Sequence, residues 1–382
     1  MSSHDRIVFG SPFLDETEED LVRQTLRSGW IGQGPLVELF EQRLGDYVGA
    51  EHVVAVSSCT AGLHLALVAL GVGPGDEVVT TPFTFVATLN AITHAGATPV
   101  LVDIDRTTLN LSPADAAAAL TPRTAAVLPV HFGGRPLDVV GYERLADEHG
   151  VWIVEDAAHA IGAVAGGRPV GGRGHPRVLS VFSFYPNKNL ASAEGGAIAL
   201  ADGDVAERLR RLRLHGLDAD AWKRYRTGRY RPSMATEAGF KYNWTDLQAA
   251  IALGQLSKLE GFLAVREYLA DVYDRLLADV AGVRVVDRGT TGLDQRHALH
   301  LYQVAVEAPP PARDRAVAHL LDEGIGAAVH YIGVNHHPAY RTDEPFPATD
   351  WASEALLTLP LHPQLSDADA ARMAEAVQEA TR

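Results

Sequence analysis

A chain of 382 residues, 47% of them apolar, can bury one large core and a smaller one beside it. A formal net charge of −15 argues against nucleic acid or an anionic membrane as partner, and the single cysteine, Cys59, excludes an intrachain disulfide and a cysteine-rich metal site. No apolar run reaches membrane-spanning length and the start MSSHDRIVFG does not read as a secretory leader, so a cytoplasmic globular protein is expected.

From Glu51 to Leu200 short β-rich runs alternate with helical ones. HVVAVSS reads as a strand and AGLHLALVALG as a helix ended by glycine. DEVVTT, TPVLVDID, TAAVLPVHF and VWIVEDA read as strands, with ATLNAITHAG and DVVGYERLADEHG as helices among them. VLSVFSF and GGAIALA are two further strands. This alternation predicts an α/β fold with a mainly parallel sheet and helices on its faces. After DVAERLRRLRLHG, the polar and aromatic segment LDADAWKRYRTGRYRPSMATEAGFKYN predicts a long loop. TDLQAAIALGQLSKLEGFLAVREYLADVYDRLLADV keeps helical periodicity throughout and should bridge to a second domain. That domain would hold HALHLYQVAVE as a strand, RDRAVAHLLDEG as a helix and a last helix from Ser366. The expected division is residues 1–252, a large domain with the N-terminal segment, and 253–382, a smaller C-terminal α/β domain.

Ligands of parallel sheets sit beyond the carboxyl ends of the strands. After HVVAV comes Ser57-Ser58-Cys59-Thr60-Ala61, which reads either as an ordinary N-cap or as an anion site at a helix N-terminus. After VWIV comes Glu155-Asp156-Ala157-Ala158-His159, an N-cap aspartate or a carboxylate that meets a cationic ligand atom. After VLSVFSF comes Tyr185-Pro186-Asn187-Lys188. A phosphate cradle, an acid and a lysine at neighbouring strand ends point to pyridoxal 5′-phosphate. Its aldehyde condenses with a lysine amine whose basicity is lowered by desolvation. A carboxylate keeps its ring nitrogen protonated, and an aromatic side chain, Phe83 or Phe85, can cover one ring face. Rival chemistries lack their motifs: there is no G-x-G-x-x-G after the first strand, no P-loop, no H-E-x-x-H and no G-x-S-x-G. The adjacent pair His336-His337 diverges and reads as loop, so no metal site is expected.

The segments SSCTAGLHLAL, TPFTFVATLNAI, EDAAHAIG, SFYPNKNLASAEGG and GFKYNWTDLQAAIALGQL resemble the DegT-type sugar aminotransferases, fold-type-I pyridoxal phosphate enzymes acting on nucleotide-linked keto sugars. The resemblance runs over nearly the whole chain. It implies that Lys188 is the catalytic lysine and that Asp156 binds the pyridine nitrogen. His159 would lie near the ring and its phenolic oxygen, where glutamine is commoner. Thr60, Ala61 and Ser183 would bind the phosphate, Phe85 would stack on the ring, and Asn243 would reach the phosphate of the neighbouring subunit. A homodimer with shared active sites follows from that last role. Many members carry glycine where Cys59 stands; cysteine cannot relax into positive φ as glycine can, so a slightly altered phosphate turn is expected. Some 4-aminotransferases have tryptophan in place of Phe85. Sugar 3-dehydrases of the same fold replace the lysine with histidine, so Lys188 favours transamination.

SSCTAG, HGLDADAW and GFKYNWTD give a finer likeness to enzymes that aminate C4, such as the 4-keto-arabinose aminotransferases. The resemblance then implies L-glutamate as donor and a UDP- or TDP-linked keto sugar as acceptor. On the substrate side, the loop WKRYRTGRYR gathers Lys223, Arg224, Arg226, Arg229 and Arg231 as a diphosphate or donor-carboxylate contact, or as a solvated basic loop. Lys241 and Asn243, two apart, face one side of an extended segment. Trp30, Tyr185, His330 and Tyr331 are candidates to border the sugar. The alternatives are a C3-keto-sugar or cyclitol aminotransferase of the same family, a sugar dehydrase, and a non-catalytic regulator on this fold.

Overall fold

The computed structural model describes residues 6–172, 174–218, 232–289 and 294–381. Its strands are β1 (His52–Val56), β2 (Glu77–Thr80), β3 (Thr98–Leu101), β4 (Thr124–Leu128), β5 (Trp152–Asp156), the short pair β6 (Val164–Ala165) and β7 (Arg168–Pro169), β8 (Val178–Ser183) and β9 (Gly196–Leu200). Four more follow: β10 (Val283–Val285), β11 (Gln295–Arg296), β12 (Tyr302–Val306) and β13 (Leu356–Leu359). The large sheet has seven strands in the order β1-β9-β8-β5-β4-β2-β3. β9 runs antiparallel to both of its neighbours, and the other pairings are parallel. Strands such as β8 are buried along their whole length, which is why they read as unbroken apolar runs. The expected α/β architecture is the one found.

The parallel arrangement brings the ends of β1, β5 and β8 to one edge. Beyond β1, Ser58 caps the helix Cys59–Ala69, its Oγ accepting from the Ala61 N–H at 3.1 Å. That helix is almost wholly buried and presses on the sheet through Gly62, where a Cβ would lie 2.7 Å from Val181 Cγ1. Gly196 at the start of β9 is equally constrained: a Cβ there would meet Cys59 N at 2.7 Å. The helix N-terminus is thereby held against the sheet edge.

The long helix is Asp246–Leu277, opened by a capping box between Thr245 and Gln248. Its first part, through Ala249, Ala252, Leu259 and Leu263, packs with Phe40, Phe184 and Trp244. Its second part, from Leu269 through Tyr273 to Leu277, packs with β12, β13 and the C-terminal helix Asp367–Ala380. The expected boundary after residue 252 lies inside this helix, and the change of core falls between Leu263 and Leu269. Ile7 joins the second core, bridged in parallel to Ile325. The strand read into HALHLYQVAVE is shorter than expected. Only Tyr302–Val306 pairs as β12, while residues 297–301 turn away to pack on Gly133 and Gly134. No helix among the described residues is long and apolar enough to cross a membrane.

Candidate active site

A cavity of about 440 Å³ opens at the carboxyl edge of the sheet. Ser58, Cys59 and Thr60 from the helix N-terminus form one wall, and Asp156, Ala158 and His159 beyond β5 form the next. Ser183, Tyr185, Asn187 and Lys188 beyond β8 face them, and His300, His330 and Tyr331 close it from the C-terminal part of the chain. Phe85 and Tyr185 stand at the mouth, both half or more exposed.

Asp156 is buried and firmly held. Its Oδ2 accepts from Thr88 Oγ1 at 2.9 Å, and Thr88 in turn is 2.7 Å from Thr84 Oγ1. Its Oδ1 accepts from the Ala158 N–H at 3.1 Å, with Cys59 Sγ 3.9 Å away. Burial pushes its carboxyl above the ordinary aspartate range, against the pull of Thr88, the Ala158 N–H and Lys188. Lys188 is pushed the other way, down to about 8, chiefly by desolvation and partly offset by negative charge such as that of Asp156. Within hydrogen-bond distance its Nζ has His300 Nε2, at 3.4 Å. Cys59 takes the first helical position and is not among the left-handed residues, so the turn accommodates its side chain without positive φ. Burial, together with Asp156, raises its thiol well above the usual range and keeps it protonated.

The imidazoles are neutral for the same reason. His159 is driven well below its usual range by burial, and next by Lys188. Its Nδ1 accepts from the Gly133 N–H at 3.2 Å, which assigns the proton to Nε2, 3.2 Å from Tyr331 Oη. His330 is lowered to about 4 by burial and Lys188, and its Nδ1 lies 3.1 Å from Thr358 Oγ1. Tyr331 is pushed up by burial and by Asp156, and its ring is 6.0 Å from that of Phe85.

Of the residues singled out in the sequence, Thr60, Phe85, Asp156, His159, Ser183, Tyr185, Lys188, His330 and Tyr331 line this one cavity. Ala61 does not, and its N–H donates to Ser58 Oγ. Trp30 lies elsewhere, its indole N–H donating to the Gln33 carbonyl at 2.9 Å. Lys241 bridges Leu214, and Asn243 donates to the Trp244 carbonyl at 3.4 Å; neither lines the cavity of its own chain. Arg229 lies outside the described residues, with Lys223, Arg224, Arg226 and Arg231. His336 pairs with Asp350 at 2.9 Å on the surface. Sequence reasoning missed Thr88 and His300. Thr88 sits inside a segment quoted for its aromatics, and His300 inside an expected strand.

These features fit pyridoxal phosphate. A buried carboxylate made unwilling to ionise is relieved by a cationic ring nitrogen beside it. A lysine of lowered basicity faces the same space, next to a helix N-terminus suited to a phosphate. Fold and site together define a pyridoxal-phosphate enzyme.

The chain belongs to the DegT/DnrJ/EryC1/StrS aminotransferase family, which it matches over residues 12–378. It is 41% identical over 379 residues to the spore coat polysaccharide biosynthesis protein SpsC of Bacillus subtilis (strain 168), covering 97% of this chain and 96% of SpsC. The PLP form of the putative sugar aminotransferase Spr1654 from Streptococcus pneumoniae superposes with a TM-score of 0.89 at 30% identity, covering 98% of both chains. DesI, solved in the presence of its TDP-sugar product, gives a TM-score of 0.87 at 31% identity, covering 99% of this chain and 94% of that one. The protein is therefore a sugar aminotransferase that uses pyridoxal phosphate.

Proposed function

We propose that the enzyme moves the amino group of L-glutamate to the keto carbon at C4 of a nucleotide-linked keto sugar, and that it works in the cytoplasm as a homodimer with shared sites. The observation that carries this reading is the placement of Lys188 and Asp156 on one cavity that Tyr185, His330 and Tyr331 also line. The TDP-sugar of DesI supports a UDP- or TDP-linked acceptor.

When bound, pyridoxal phosphate supplies the electron sink and carries the amino group between the two half-reactions. Lys188 holds and moves the proton at the reacting carbon as general base and then general acid. Asp156 keeps a proton on the pyridine nitrogen. Ser183, Thr60 and the helix N-terminus that begins at Cys59 would hold the phosphate, Ala61 contributing only through that helix turn, and Phe85 and His159 would contact the ring. Tyr185, His330 and Tyr331 would border the sugar. Lys241 and Asn243 serve the site of the partner subunit, which accounts for their position outside their own. The division into a large cofactor-binding lobe and a smaller C-terminal lobe belongs to the same reading.

Two experiments test it. A panel of UDP- and TDP-linked 4-keto and 3-keto sugars, assayed with glutamate and other amino donors, should give product aminated at C4; amination at C3 alone would sink that choice. For the shared site, Lys188→Ala chains are mixed with Lys241→Ala/Asn243→Ala chains. If each parent is inactive, random exchange makes about half the dimers mixed, each with one intact site, and roughly a quarter of activity returns. Proven exchange with no recovery would confine the loop to its own chain.

A further inference from the structure

His300 reaches the cavity on a stretch of irregular chain that is clamped from four directions. The Ala298 N–H donates to the Gly134 carbonyl at 2.9 Å, and the Leu301 N–H donates to the Gly133 carbonyl at 3.0 Å. Asn189, the residue after Lys188, donates from Nδ2 to the Ala298 carbonyl at 2.6 Å. From the long helix, the buried Arg266 guanidinium donates to the carbonyls of Leu299 at 3.1 Å and His300 at 3.5 Å, and to that of Leu361. Leu299 takes a left-handed φ of 49°, a conformation that a branched residue keeps only where its surroundings impose it. Two of these clamps matter most. The Asn189 bond ties the histidine segment to the lysine segment, and the Arg266 bonds tie it to the second core. Together they set the distance between imidazole and amine.

We propose that His300 is the positioning residue of Lys188: Nε2 of its imidazole accepts an N–H of the lysine amine and holds Nζ toward the cavity. The inference rests on Lys188 being the lysine that takes the cofactor. The contact is 3.4 Å, the imidazole is only 5% exposed, and its Nδ1 is buried without a partner among the described residues. Around the pair stand Asp156, Cys59, His159, His330 and Arg266. Burial keeps the imidazoles neutral and the Cys59 thiol protonated, which leaves Asp156 and Arg266 as the charged neighbours. A neutral acceptor at Nζ favours the ammonium over the free amine. Its removal should lower the pH at which the lysine becomes reactive.

The test strips the cofactor from the full-length protein and follows the visible absorbance as pyridoxal phosphate is added back at a series of pH values. The rate of recombination reports the fraction of free amine at Lys188, with a wild-type midpoint near the lowered value of about 8. His300→Phe should move the midpoint down by about one unit and reduce kcat. His300→Gln, whose amide oxygen can accept the same N–H, should stay within about 0.3 unit and keep most of the activity. If the phenylalanine variant does not fold, His300→Leu takes its place. A wild-type midpoint in the apolar variant, or a glutamine variant as impaired as the apolar one, overturns the proposal. Lys188→Ala serves as control. A borohydride-stable linkage in that variant would show that the lysine itself was wrongly assigned, an outcome distinct from failure of His300.

Discussion

Asp156 and Lys188 face one cavity under opposite conditions. The carboxylate ends a central strand, and separate donors fix its two oxygens, Thr88 on one and the Ala158 N–H on the other. The amine stands on irregular chain past β8 with one long contact among the described residues, where the neighbouring side chains of Asn187 and His300 also keep a buried atom without a partner, Oδ1 and Nδ1. The difference follows from what each must do. An acid that holds one proton in place gains from rigidity, whereas a lysine that alternates between covalent attachment and proton transfer has to swing. Several strong bonds to its amine would have to be broken in every cycle.

The comparison can be broken at its loose end first. Lys188→Ala should abolish transamination while leaving the fold intact, since the amine makes so few contacts. Circular dichroism and single-turnover absorbance with glutamate check both halves, and wild-type-like turnover would mean that another lysine carries the chemistry.

At the rigid end, Asp156→Asn keeps the shape and removes the charge that holds the pyridine proton. Proton transfer should slow by orders of magnitude. Single-turnover rates within a few-fold of wild type would show that the carboxylate does not serve the ring. One step back, Thr88→Val removes the bond to Oδ2, and a hydrogen bond to a charged group of this kind is worth roughly tenfold in rate. Thr88→Ser should restore most of it, because the hydroxyl rather than the methyl group is what orients Asp156. Equal rates for valine and serine would reduce Thr88 to packing.

The smallest effect concerns stability. Lys188 falls from 10.5 to about 8 on folding. Below about pH 8 it is charged in both folded and unfolded chains, and its burial destabilises the fold in full. As pH rises from 8 toward 10.5, the folded chain gives up the proton first and that penalty shrinks. Cofactor-free Lys188→Met should therefore be more stable than wild type at neutral pH, by about 2 kcal/mol once partial exposure to the cavity is discounted. The gap should close above pH 10.5. Denaturant melts at neutral and alkaline pH measure it, and a gap that does not change with pH would exclude lysine burial as the cause.

Much of the site was legible in the sequence because a parallel sheet places successive strand ends on one edge. Asp156 and Lys188 follow β5 and β8 immediately, and Ser58 to Thr60 follow β1, so reading the strands located them. Thr88 escaped because its importance lies in a partner 68 positions away, which no local pattern encodes. His300 escaped because alternation in HALHLYQVAVE imitates a longer strand. The left-handed Leu299 and the Arg266 clamp pull its first residues out of the sheet, and both are tertiary effects. Trp30, Lys241 and Asn243 sit in connecting segments, whose spacing says little about where the chain returns.

The helix Asp246–Leu277 has a consequence for how the molecule comes apart. Its backbone hydrogen bonds run without interruption from one core into the other, so neither core can melt without fraying a helix that the other still holds. At the crossover lies Arg266, whose guanidinium, once loosened, gives up three carbonyls from two separate loops. Heat therefore meets the two cores in series, and a single cooperative transition is the natural outcome. Amide hydrogens between Leu263 and Leu269, where the helix passes from one core to the other, would then be among the last to exchange.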